Sequence, residues 1–150
     1  MRKLIATAAL SCMLAGAAFA QTPSSGAQLT GGTWVCSAVT DGLNVISKQS
    51  YAADGTSTMM LMVFGEADGT NIRIVAEGVG TWNVVGDRLD EILSRMTATY
   101  AEIGGNGALE IAQNMLDGSM VNVTLTNTAT FAGPTLHLVD VDKVVTDCAR

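Results

Sequence analysis

Apolar and polar positions along this chain fall into short runs separated by turn residues. Asp41-Gly42, Asp54-Gly55, Asp68-Gly69 and Gly86-Asp87 each stand between apolar or β-branched stretches. Dipeptides of this kind accept positive φ, so they read as hairpin turns. The runs between and beyond them predict strands over 33–39, 45–52, 56–64, 71–85, 89–103, 121–130, 135–141 and 144–148. Alternation is clearest over 71–85. There Ile72, Ile74, Ala76, Gly78, Gly80, Trp82 and Val84 share one face, against Asn71, Arg73, Glu77, Thr81 and Asn83 on the other. Gly78 and Gly80 suit sharp bending. The pattern slips near Ile92-Leu93, which predicts a bulge. From Met59 to Phe64 the run is unbroken and gives no face.

One segment changes period. Leu109, Ala112 and Leu116, with Ile111 and Met115 beside them, form a stripe at helical spacing over 108–117. Gly104, Gly105 and Gly107 precede it and Gly118 follows as a stop. So short a helix needs a surface to dock on. It is expected to cover the core or plug a barrel end, a mobile lid being the alternative. A sheet of so many strands exposes edges, and closure removes them. The expected fold is therefore all-β, an antiparallel up-and-down β-barrel of about eight strands with one short helix inserted near 107–117.

The first 20 residues read differently. Arg2 and Lys3 precede an apolar run from Leu4 to Ala18, and Ala18-Phe19-Ala20 supplies the small residues of a cleavage site. This is the pattern of a secretory signal peptide, with an uncleaved anchor as the alternative. Ala9-Leu10-Ser11-Cys12 faintly resembles a lipid-attachment motif, but leucine stands one place too near the cysteine, and Cys12 reads as filler. Residues 21–31 are small and polar and are expected to be a flexible leader; 32–150 form the domain. No stable membrane insertion is expected after cleavage, and the location is periplasmic or secreted. Cleavage leaves two cysteines, Cys36 and Cys148, which an oxidising export route would join.

Composition narrows the partners. The chain has 150 residues, 48 % hydrophobic and 15 % charged, so it is one ordered domain. Its net charge is −6 with eight Lys+Arg, which excludes the basic footprint of a nucleic-acid binder. One histidine and three cysteines leave few transition-metal ligands.

Short motifs recur among the turns: Gly32-Thr33-Trp34, Tyr51-Ala52-Ala53-Asp54-Gly55-Thr56, Gly80-Thr81-Trp82 with Gly86-Asp87-Arg88-Leu89, and a terminal Asp147-Cys148-Ala149-Arg150. In these the chain resembles small exported bacterial lipocalin-like proteins. The resemblance implies an antiparallel barrel or half-barrel with an apolar interior, and no catalytic residues. The helix departs from the lipocalin pattern, since it lies between the fifth and sixth strands rather than after the last.

Candidate chemistry is sparse. Trp34 and Trp82 are expected to be core residues, with ligand stacking as the alternative for either. Met59, Met60, Met62, Met96, Met115 and Met120 are many for this length, and methionine suits adaptable apolar pockets or, with other ligands, copper. His137 alternates with Leu136 and Leu138 and so faces solvent, with no nucleophile motif to serve. Asp140 and Asp142 share a strand face about 7 Å apart. With Asp147 they could hold calcium, or act as paired carboxylates, but no calcium-loop consensus is present and a strand ending in a polar turn explains them better. Gly104-Gly105-Asn106-Gly107 is no phosphate loop, lacking the lysine.

These residues point to a non-enzymatic binding module with a small apolar, lipid-like ligand in the barrel, contacted by Met60, Met62, Trp82 and Met96. No cofactor is expected. The alternative is an envelope interaction or inhibitor protein with a filled barrel. Clustering of Ala76, Gly78, Gly80 and Ala98 would leave a cavity, and strand register decides whether they cluster.

Overall fold

The computed structural model describes residues 25–150. The expected signal peptide, Cys12 and the first residues of the expected leader lie outside them. Strands β1 (Thr33–Thr40), β2 (Leu43–Tyr51), β3 (Thr56–Ala67), β4 (Thr70–Val85) and β5 (Arg88–Ile103) follow one another through tight hairpins. A two-residue β6 (Asn106–Gly107) and helix α2 (Leu109–Ser119) come next, then β7 (Thr124–Ala132), β8 (Thr135–Asp140) and β9 (Val145–Ala149). A short helix α1 (Ser25–Leu29) precedes them all. Neighbouring strands are antiparallel, β9 returns to β1, and β4 pairs with β5, so eight strands close a barrel.

The predicted turns do the folding. Asp41-Gly42 and Asp68-Gly69 have positive φ at both residues, the type I′ geometry whose twist matches the flanking strands. Asp54 holds the β2–β3 loop by accepting from the Thr56 N–H at 2.9 Å and the Thr56 hydroxyl at 2.6 Å. Those bonds hold its carboxyl below the usual range. The predicted strand at 121–130 begins only at Thr124, because Asn122 sits at φ 59° and breaks the extended run.

The whole predicted inner face of β4 points into the barrel. Its glycines, however, do not leave a cavity. A Cβ on Gly78 would lie 2.4 Å from Met96 Sδ, and one on Gly80 would lie 2.3 Å from the Ile92 carbonyl oxygen. They let β5 press inward, and their space is filled. The expected bulge is real and double: the β4–β5 register skips Ser94 and Thr99. Each extra residue turns its hydroxyl to a carbonyl of β4, Ser94 to Val79 at 3.1 Å and Thr99 to Val75 at 3.2 Å. The distorted ladder thus regains partners.

From Leu93 onward β5 no longer pairs with β7. Its pairs with β7 span Arg88–Ile92, β6 takes Glu102 and Ile103, and α2 covers the stretch between. Backbone groups exposed on that edge find other partners. Gln113 acts as a substitute strand, its Nε2 donating to the Met96 carbonyl and its Oε1 accepting from the Ala98 N–H, both at 2.9 Å. The Asn122 N–H donates to the Leu93 carbonyl and the Ala108 N–H to the Ala101 carbonyl. The helix buries Ala112 and Leu116. The predicted stripe was too wide: Leu109, Ile111 and Met115 are exposed, because the small alanine side lies flat on β5. Nor does Gly118 stop the helix, which runs on to Ser119.

Part of the expected leader is also ordered. Helix α1 closes the opposite end, with Leu29 fully buried and its carbonyl accepting from the Trp34 indole N–H at 2.9 Å. Trp34 carries no exposed surface, and Arg150 lies over its ring, 4.4 Å from the centroid. Cys36 and Cys148 face each other across β1 and β9 and are joined by a disulfide. The interior therefore has two apolar clusters. One, around Leu29, Trp34, Leu89 and Leu136, fills the α1 end; the other, around Met59, Leu61, Leu93, Met96 and Leu116, lies beneath α2.

Candidate functional site

Between the two clusters the barrel is polar. Ser47, Gln49 and Tyr51 come from β2, Ser57 from β3 and Glu91 from β5, and all are buried. Each stands at an inward position of an alternating strand, so the pleat delivers them to one level. Glu91 lies between the buried Leu89 and Leu93 and is only 4 % exposed. The Ser57 hydroxyl donates to Glu91 Oε1 at 2.6 Å. The Tyr51 hydroxyl donates to Gln49 Oε1 at 2.5 Å and is also within reach of Glu91. The Gln49 amide N–H donates to Ser47 Oγ at 3.1 Å.

All of these but Ser57 border an interior cavity of about 150 Å³. Its wall is mixed. Met59, Leu61, Leu125 and Leu138 supply apolar surface, while Ser47, Gln49, Tyr51, Glu91, Asn127 and Thr146 supply polar atoms. Burial pushes the Glu91 carboxyl up, although the bonds from Ser57 and Tyr51 pull the other way. Burial raises the Tyr51 hydroxyl well above its ordinary value, and the charge of Glu91 adds to this. No lysine, arginine or histidine lines the cavity.

The methionine run is the largest correction. Met60 and Met62 face outward, Met60 being 39 % exposed, and Met59 holds the interior place. A shift of one residue exchanges every side chain between faces, and the unbroken run gave no alternation from which to choose. Met96 is inside but packs over Gly78 in the cluster beneath α2, away from the cavity wall. Trp82 is half-buried. Its indole N–H donates to the Ala52 carbonyl at 3.0 Å, and its ring meets Tyr51 edge-on, 5.6 Å between centroids. It braces Tyr51 from outside the cavity lining.

The remaining candidates lie outside the barrel. His137 is exposed, as its alternation suggests, and pairs with Asp147 across β8 and β9. Asp140 Oδ1 accepts from the Asp142 and Val144 N–H groups, both at 2.9 Å, so that carboxylate organises its own loop. Among the described residues no three acidic, histidine or cysteine side chains gather to hold a metal ion, and no helix is long and apolar enough to cross a membrane.

Sequence reading missed Glu91, Tyr51 and Gln49. The signal was present for Glu91, since Leu89, Glu91 and Leu93 alternate onto one face. No family model and no curated protein matches the chain.

Proposed function

We propose that this protein is an exported, non-enzymatic binding module that holds a small ligand at the waist of its barrel. The observation that carries this reading is the cavity itself, an apolar hollow with several buried polar side chains converging on it. A barrel needing only stability would fill that level with hydrocarbon, since buried polar groups contribute little net stability. The disulfide fits an oxidising compartment, and the signal-like first 20 residues support the periplasm or the extracellular space. The closed barrel and the Gly32-Thr33-Trp34 opening support placing the chain among lipocalin-like proteins.

Native mass spectrometry of protein purified from its export compartment tests the reading. The expected spectrum has a species heavier by one small molecule, which organic denaturation releases. A bare mass from every preparation, with no uptake from a panel of ring-sized compounds, would sink it. The second reading, an interaction protein, draws on the exposed Leu109, Ile111 and Met115 of α2. Co-purification of a protein lost on Ile111→Lys would favour it.

A further inference from the structure

The cavity wall contains a carboxyl group whose charge nothing answers. Glu91 is buried, and its hydrogen-bonding neighbours, Ser57 and Tyr51, are neutral. Tyr51 is the only other titratable side chain on the wall. Of the described lysines and arginines, Arg88 pairs with Asp90 and Arg150 lies on Trp34, while Lys48, Arg73 and Arg95 are on exposed positions of outward faces and Lys143 is exposed in the β8–β9 loop. A buried carboxylate without a cation is costly, so the group must either keep a proton or receive a positive charge from elsewhere. A glutamine would accept the Ser57 bond equally well, so that bond does not account for an acid here.

We propose that the cavity takes a small organic cation, a protonated amine on an apolar body, whose ammonium group forms an ion pair with Glu91. This rests on the binding reading above and names its ligand class. The apolar side chains of Met59, Leu61, Leu125 and Leu138 would hold the body. The wall holds a single carboxylate, and among the described residues no three acidic, histidine or cysteine side chains gather to hold a metal ion, which favours an organic over an inorganic cation. The size is limiting: about 150 Å³ accommodates roughly one ring and a short arm. The chain's net charge of −6 also draws cations rather than anions towards it.

Protons balance in a simple exchange. In the free protein burial pushes the carboxyl towards its protonated form. The ammonium arrives with all its protons, the carboxyl proton leaves to solvent, and the charges pair. Binding is thus stronger at higher pH, by about tenfold per unit below the free-state pKa of Glu91.

Titration calorimetry of the full oxidised chain with benzylamine and with benzyl alcohol tests this. Near neutral pH the amine is expected to bind at least about tenfold more tightly than the alcohol, and Glu91→Gln to remove that preference while keeping the alcohol. Repeating the amine titration in two buffers of different ionisation enthalpy should show a proton released, a readout on the unaltered protein should the variant fold poorly. Equal binding of both probes, unchanged in Glu91→Gln, overturns the ion pair and leaves the barrel a neutral-ligand binder. No binding of either probe, in a protein that also takes up no other ring-sized compound, overturns this inference together with the binding reading.

Discussion

The two ends of the barrel are closed by different physics. At the α1 end a large aromatic, Trp34, is buried beneath Leu29 and Arg150, and the disulfide ties the first strand to the last beside it. At the other end alanines dominate: Ala98 and Ala101 of β5 face Ala108 and Ala112, and a polar side chain, Gln113, completes the strand edge. Each end has its apolar cluster, but the first adds a covalent link and the second close backbone approach and side-chain hydrogen bonds to the strand edge. Small residues let a helix lie where a strand is missing, at the cost of less buried surface. The polar waist lies between a firmly locked end and a lightly fastened one.

Substitutions can separate the two. Trp34→Ala should cost about 3–5 kcal/mol and lower the whole melting transition, as chemical denaturation will show. Gln113→Leu should cost less, about 1–3 kcal/mol, since it orphans the Met96 carbonyl and the Ala98 N–H. Its signature is local: amide exchange at Ala98 should quicken while β1 and β9 stay protected. If exchange quickens equally at both ends, the ends are one cooperative unit and the contrast fails.

Glu91→Gln probes the level between them through pH. Burial raises the folded-state pKa of Glu91, so its contribution is most favourable below the unfolded value and is lost as pH rises through the folded one. In ligand-free protein the variant should melt above wild type near neutral pH, and the gap should close on acidification. Thermal melts at several pH values will check it. Smallest of all, Ile111→Lys on the exposed face of α2 should change stability by no more than about 0.5 kcal/mol.

Legibility followed local chemistry. Turns such as Asp41-Gly42 and Asp68-Gly69 were plain, because only a few residue types accept positive φ. The inner face of β4 was plain because it alternates. The methionine run hid its register, which is set by pairing with β2: Met59 lies opposite Gln49, an inward position, and Met60 opposite Lys48. Gln113 could not be assigned its role, since a polar residue on a helix ordinarily meets water. The α1 segment concealed itself because its one buried side chain, Leu29, stands in a polar stretch.

The disulfide has a mechanical consequence. Successive strands are stapled by hairpins everywhere except at two joints, β9 to β1 and β5 to β7. The Cys36–Cys148 bond welds the first, converting the chain between them into a hoop spanning 112 positions. All remaining slack in the hoop is collected at the second joint, under α2. Thermal breathing of the wall is therefore directed to one stave, and reduction of that single bond would give the barrel a second place to spring open.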